Sequence, residues 1–355
     1  MQQYKQEWFG NIRGDILAGI VVCLALFPEV IGFMIVAGVP PIVGVYATFF
    51  ITAIAAFFGS SKGMISAAAG SVALVLAHLV AEYGIQYLFA ATILAGILQV
   101  ALGLLKVGTL MRYIPKPVMT GFVNGLGIMM FTSQLDHFQG SLLLPLLGLL
   151  GIAIIFLFPR ITKKIPAPIV AILVITAIVL GFGLDVKTLG DMGSISTDLP
   201  RFGIPAVPMT VETLRIIFPT ALSVAIVGLV ESLLTAQLVD EITDEKSDKN
   251  QETLSQGLGN VVSGFFGGIA GCGMIGQTII NLNYGGLGRL ATFLSGFFML
   301  LSVVLLNGSV VQIPVVALAA VMVVVSIETI NWDSIKRLRT NPKNESFAMI
   351  LTVAI

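Results

Sequence analysis

A glycine-rich break inside an apolar segment, residues 264–281, carries the clearest chemical signal in this sequence. It reads GFFGGIAGCGMIGQTIIN, and a helical pattern resumes at about Ile275. Unwound backbone at membrane depth has polar groups that hydrocarbon cannot satisfy, so it persists only where it is buried in protein or faces water. A helix that begins there directs a partial positive charge and unpaired N–H groups at that space. The pattern therefore predicts a midplane site for a small anion, as in secondary transporters.

A second short break lies at residues 66–71, Ser-Ala-Ala-Ala-Gly-Ser, and a faint internal echo links it to the first. Residues 57–59 and 63–65 (FFG, GMI) resemble residues 265–267 and 273–275 (FFG, GMI). One copy follows an even-numbered predicted span and the other an odd-numbered one, so they lie on opposite sides. This predicts an inverted repeat whose two broken helices meet at the midplane. Chance matching of glycine and phenylalanine in an apolar chain is the alternative.

Glu231 is the strongest single candidate for a functional side chain. It lies nine positions before Asp240, about 13 Å into a span at the helical rise per residue. A carboxylate at that depth is costly unless it is paired or protonated, which makes it a functional candidate by default. The alternative is a structural carboxyl bonded to backbone. Thr235 lies one turn later on the same face, where its hydroxyl could be supplied to the same ion; the alternative is a residue that only packs between helices.

Glu29 is a second carboxylate inside a predicted span, directly after Pro28. Proline removes a backbone donor and usually kinks a helix, which frees a carbonyl where an ion or substrate could sit. Structural pairing of Glu29 is the alternative. Phe33 lies one turn further on and either lines the same cavity or belongs to the core.

Composition places the chain in a membrane. Of its 355 residues 56% are hydrophobic and 11% are charged, and the mean hydropathy is +0.99. Soluble domains carry about 25% charged residues. The formal net charge is zero, so the overall charge indicates no particular partner, and we expect no nucleic-acid partner. Sequence motifs of hydrolases and metalloproteases are missing from the spans, so we do not expect an enzyme.

Apolar runs of spanning length predict the topology. With a cytoplasmic N-terminus, all of the 19 basic residues except Lys187, Arg201 and Arg215 fall on the cytoplasmic side, as the positive-inside rule requires. We expect a multi-pass protein of the inner membrane whose partner is the lipid bilayer. The predicted spans are 14–35, 40–58, 64–80, 86–104, 117–135, 141–158, 167–183, 216–238, 253–268, 272–284, 290–307 and 314–330.

Several short segments, in their order and spacing, resemble the sulfate permease family of anion transporters along essentially the whole chain. The resemblance implies an all-α polytopic fold of fourteen segments in two inverted seven-segment repeats, divided into core and gate domains, with a cytosolic STAS domain. Residues 1–184 would form the first repeat, 185–215 an extracytoplasmic connector, and 216–355 an incomplete second repeat that stops before the last two segments and STAS. The segments are 13–19 (RGDILAG), 27–33 (FPEVIGF), 41–46 (PIVGVY), 230–235 (VESLLT) and 250–257 (NQETLSQG).

The resemblance also implies site roles for particular residues. The coupling ion, Na⁺ if it is a metal, would contact Glu231, Thr235 and Gly273, and no other cofactor is expected. Some family members have an arginine where this chain has Gln277, so a strong preference for divalent anions is not expected. Residues implied to bind substrate, mostly through backbone, are Ala68, Ala69, Gly70, Ser71, Gly273, Met274, Ile275, Glu29 and Phe33.

The function these features predict is secondary active transport of a small inorganic anion of the bicarbonate or sulfate class. The resemblance implies elevator-type alternating access, Na⁺- or H⁺-coupled symport, and a homodimer for the full-length protein. A chloride or other anion exchanger and a channel-like anion pathway are alternatives. A nucleobase permease of the same fold is less favoured, because the Ala- and Met-rich helix starts offer few groups to read a base.

Overall fold

The computed structural model describes residues 2–109, 116–162, 166–192, 199–336 and 343–354. It is mostly helical, with one ribbon of two short strands, β1 (Ser66–Ala68) and β2 (Gly271–Gly273). The helices are α1 (Gln2–Phe9), α2 (Ile12–Ala37), α3 (Pro41–Phe58), α4 (Gly70–Tyr83), α5 (Ile85–Leu104), α6 (Lys116–Gln134), α7 (Leu143–Leu157), α8 (Ala167–Phe182), α9 (Val211–Thr243), α10 (Lys249–Phe265), α11 (Ile275–Asn283), α12 (Arg289–Val310), α13 (Val315–Thr329), α14 (Trp332–Lys336) and α15 (Lys343–Ala354).

Many of these helices are apolar enough to cross a membrane, as the composition predicted. Five have spanning length, where α7 is counted together with the 3-10 turn that follows it: Ile12–Ala37, Pro41–Phe58, Ile85–Leu104, Leu143–Arg160 and Val211–Thr243. Shorter apolar helices are Gly70–Tyr83, Ala167–Phe182, Arg289–Leu305 and Val315–Thr329. Among the basic residues behind the topology prediction, Arg112, Lys163, Lys164, Arg337 and Arg339 lie outside the described residues.

The chain divides into two compact units, each built from one piece of either half of the sequence. The first unit comprises Met1–Thr109 and Thr188–Ile313, and the second comprises Leu110–Lys187 and Pro314–Ile355. In the first unit α5 packs along α10, and α12 packs against α2 and α3. In the second unit α6 packs against α13 and α15. The assignment of 1–184, 185–215 and 216–355 to repeats and a connector stays a prediction.

The ribbon lies where the sequence predicted two broken spans. Strands β1 and β2 pair antiparallel, with Ser66 opposite Gly273 and Ala68 opposite Gly271. Glycine is required on β2, because a Cβ at Gly271 would run into the main-chain carbonyl of Ala67. The predicted spans 64–80 and 272–284 therefore each begin as a strand and become helical only at Gly70 and Ile275.

The internal echo is correct at one end and wrong at the other. Residues 57–59 and 265–267 both lie where a helix ends, α3 in one copy and α10 in the other. The second half of the repeat is out of register. Met274 is the residue directly before α11, and the residue in the same place before α4 is Ala69, whereas the sequence match paired Met274 with Met64. The connection from helix to strand is longer in the first copy, so letter-by-letter matching aligned the wrong residues.

The charged loop between the predicted spans 216–238 and 253–268 is shorter in the structure than those spans imply. Helix α9 runs on to Thr243 and α10 begins at Lys249. Asp248 caps α10 by accepting from the backbone N–H of Asn250, at 2.8 Å. Lys249 Nζ lies 2.7 Å from Asp240 Oδ2, so an ion pair joins the two helix ends.

Candidate functional site

Two helices begin directly after the strands of the ribbon, with Ala69 preceding α4 and Met274 preceding α11. No side chain among the described residues caps either start. The first N–H groups of a helix have no partner within the helix, so they are left for a ligand or water. Because the strands are antiparallel, the residues that precede the two helices, Ala69 and Met274, lie at opposite ends of the ribbon, four residues or about 13 Å apart along a strand. The two positive helix ends therefore face each other across the length of the ribbon.

Glu231 on α9 contacts both halves of this arrangement. Its Oε2 accepts a hydrogen bond from Ser71 Oγ in the first turn of α4, at 2.7 Å. The same oxygen accepts from Cys272 Sγ on β2, at 2.6 Å. Ser71 and Cys272 are buried, whereas Glu231 is half-buried. One carboxylate is therefore held between the two helix starts by donors from sequence-distant segments.

Thr235 and Gly273 lie close to Glu231 in the structure, but neither donates a hydrogen bond to its carboxylate. Thr235 Oγ1 donates to the main-chain carbonyl of Glu231, at 2.8 Å, so only its lone pairs remain for an ion. The Gly273 N–H donates to Ser232 Oγ, at 2.9 Å. In the part of the chain that the structure describes, no group of three or more His, Cys, Asp or Glu residues is placed to hold a metal. A Na⁺ bound here would have one carboxylate and neutral oxygen atoms as its ligands, and oxygen is the ligand atom that hard cations prefer.

Glu29 reaches the first turn of α11 from α2. Its Oε2 accepts a hydrogen bond from the amide Nε2 of Gln277, which is buried. Helix α2 continues as one helix through Pro28. Phe33 is 3% exposed, so its side chain is enclosed within the first unit; its place in the wall of a cavity stays a prediction.

All eleven candidate residues lie in the first unit, and the structure brings most of them together around the ribbon. Ala68 is in β1, Ala69 and Met274 precede the helices, and Gly70, Ser71 and Ile275 are in their first turns. Ile275 is partly exposed, at 38%. Their roles in binding remain proposals.

Sequence reasoning missed the polar side chains that hold the ribbon. Residues just before β1 are bonded by Thr278, whose Oγ1 accepts from the Ile65 N–H, and by Thr292, whose Oγ1 donates to the Met64 carbonyl; both distances are 3.0 Å. Strand β2 is held by the buried amides of Gln256 and Asn260 on α10, and Gln99 on α5 bonds to Asn260. The available signal was the amide side chain of Gln99 within an otherwise apolar run.

The sequence matches the family model described as the sulfate permease family over residues 12–144 and 141–352. It is 55% identical to YbaR of Bacillus subtilis (strain 168), provisionally named a sulfate transporter, over 98% of this chain and 73% of that protein. It is 30% identical to the bicarbonate transporter BicA of Synechocystis sp., over 95% of this chain and 64% of that protein.

Comparison with solved structures also finds anion transporters. The transmembrane domain of a cyanobacterium bicarbonate transporter BicA matches with a TM-score of 0.89 and 25% identity, over 98% of this chain and 95% of that one. The murine Solute Carrier 26 family member A9 anion transporter shares the fold, with a TM-score of 0.82 at 17% identity, over 96% of this chain and 64% of that one. This multi-pass membrane chain therefore belongs to the sulfate permease family of anion transporters and is not an enzyme.

Proposed function

We propose that the chain is the transport domain of a secondary active carrier for a small inorganic anion of the bicarbonate or sulfate class. The observation that supports this best is the pair of uncapped helix starts joined by the ribbon, with Glu231 hydrogen-bonded to both sides. The anion binds at the two helix starts, among residues 68–71 and 273–275, and Glu29 and Phe33 contribute to the surrounding wall. The Gly273 N–H is bonded to Ser232 Oγ and the Met274 N–H to the Ile65 carbonyl, so on the second side we assign the anion to the N–H of Ile275, in the first turn of α11. The names of YbaR and BicA point to the same two oxyanions.

In this proposal Glu231 couples the anion to a cation. A carboxylate and a bound anion repel each other in a site of low dielectric constant, so each weakens the binding of the other. A Na⁺ held with Thr235 and Gly273, or a proton on Glu231 itself, removes that repulsion. Binding of the cation and of the anion then favour each other by the same factor, which is the thermodynamic basis of symport.

The proposal also covers how the anion is moved, where the protein lies and which anion it prefers. The first unit contains every candidate residue, and we assign to it the carrying of the anion in elevator-type alternating access. The N-terminus is cytoplasmic, the membrane is the inner membrane, and the full-length protein is a homodimer. Gln277 is neutral, so the site lacks a fixed positive side chain at that position; this favours an anion of low charge, such as bicarbonate.

The test is uptake of labelled bicarbonate and of sulfate into proteoliposomes that contain the full-length protein, with a Na⁺ or a pH gradient. Glu231→Gln is compared with Glu241→Gln, a matched change at an exposed position near the end of the same helix. We expect saturable uptake driven by one gradient, lost in Glu231→Gln and retained in Glu241→Gln. Gradient-independent exchange that survives Glu231→Gln would reject coupling at Glu231. Ohmic current would favour a channel, and absence of flux of either anion would favour chloride or a nucleobase.

A further inference from the structure

Strand β2 has almost no side chains with which to hold its position. Two of its three residues are glycines, and the short helix that follows, α11, has nine residues. Side-chain packing by β2 itself therefore contributes little to placing the first turn of α11. Hydrogen bonds to the backbone of β2 add to the contacts that α11 makes with its neighbours.

Those bonds come from two buried amides of α10. Gln256 Nε2 donates to the Gly271 carbonyl at 2.9 Å, and Asn260 Nδ2 donates to the same oxygen at 3.2 Å. Asn260 Oδ1 accepts from the Gly271 N–H at 2.9 Å. Both backbone polar groups of Gly271 are thus bonded to side chains of one helix.

The network continues to α5 and α9. Asn260 Nδ2 donates to Gln99 Oε1 at 2.8 Å, and Gln99 Nε2 donates to the Ala225 carbonyl at 3.2 Å. Ser232 Oγ accepts from the Gly273 N–H and donates to the Gly228 carbonyl at 2.7 Å. We call Gln99, Ser232, Gln256 and Asn260 the amide clamp; none of them is more than 2% exposed.

A glycine contact brings the clamp residues together. A Cβ on Gly96 would lie 2.6 Å from the Gly257 carbonyl oxygen, and one on Gly257 would lie 2.7 Å from the Gly96 oxygen. Helices α5 and α10 therefore touch backbone to backbone, as small residues allow in membranes. Gln99 and Asn260 each follow these glycines by three residues, on the same helix faces.

We propose that the amide clamp is the positioning device that sets anion affinity, by fixing where the N–H groups at the start of α11 point. The inference rests on the proposed function, since it assumes that those N–H groups bind the anion. Donors that are already oriented bind without a further cost of reorganisation. The clamp side chains are uncharged, so they orient the N–H groups at the start of α11 without adding a charge that would favour anions of one charge over another. Gln99 and Gln256 act through the backbone and do not touch the anion.

The test uses Gln99→Met and Gln256→Met in the full-length protein, because methionine keeps the length of glutamine and removes its donors. Asn260, which makes three of the bonds, is left in place so that the variants fold. The control is Thr253→Val on α10, since Thr253 is buried and, among the described residues, its hydroxyl bonds only to the Lys249 carbonyl of its own helix. Anion uptake and hydrogen exchange of the backbone amides of residues 271–277 are measured for each.

We expect apparent KM to rise about tenfold in the glutamine variants, the effect of one or two lost buried hydrogen bonds, with Vmax little changed. Exchange at residues 271–277 becomes faster in them and stays unchanged in the control. If the wild type transports the anion and Gln99→Met and Gln256→Met have the same KM as the wild type, the role of the amide clamp is rejected and the proposed function stands. Uptake of neither anion by the wild type would reject the proposed function instead, and unchanged exchange in the variants would overturn the clamp in that case too.

Discussion

Replacing Gly273 by alanine tests how closely β2 must approach α9. A Cβ at this position would lie 2.7 Å from Met64 Cε, 2.9 Å from Ser232 Cα and 3.2 Å from Thr235 Cβ. The methionine tip can move aside, but Ser232 Cα is helix backbone, so the strand itself must shift. Overpacking of this kind costs about 1–3 kcal/mol. The shift also lengthens the bond from the Gly273 N–H to Ser232 Oγ, so the start of α11 is displaced and apparent KM for the anion rises.

The assay is thermal unfolding of the purified protein in detergent together with uptake in proteoliposomes. Gly273→Ala should lower Tm by about 1–4 °C for a chain of this size. The control is Gly181→Ala in α8, where a Cβ meets nothing within 4 Å. Alanine is the better helix former by about 0.5–1 kcal/mol, so the control should match or exceed the wild type. A Gly273→Ala variant with the Tm and KM of the wild type would refute the close-approach argument.

Two further predictions concern regions outside the site. Asn124→Leu removes the acceptor of the Asn331 N–H (2.7 Å) and the donor to Ser334 Oγ (3.0 Å), so unfolding should become easier by about 1–3 kcal/mol; a Tm equal to that of the wild type would contradict this. Lys62→Met removes an ion pair with Glu245 at 2.6 Å between partly exposed side chains, so it should cost less than about 1 kcal/mol. The Tm difference for Lys62→Met should shrink in high choline chloride because salt screens exposed charges, and a salt-independent loss would argue against a surface pair.

The sequence by itself determined the membrane class, the positions of the two breaks and the place of Glu231 within a long apolar helix. These follow from local properties: transfer of apolar runs into hydrocarbon, and the requirement that unwound backbone at that depth be satisfied. The breaks at residues 66–71 and 264–281 were found because glycine and serine interrupt apolar runs there. The span boundaries near them were wrong by several residues, since a three-residue strand has no periodicity to read.

Only the tertiary structure decided which residues meet at those breaks. Ser71 and Glu231 are 160 residues apart in the chain, and Gln99 and Asn260 are 161 apart, so neither pairing leaves a trace in local pattern. The register that places Ser66 opposite Gly273 depends on how closely glycine backbones can approach, which is a property of the packed helices. Hydrophobic patterning specifies which segments enter the membrane, whereas the buried polar contacts that orient a site form only between segments that the fold has already brought together.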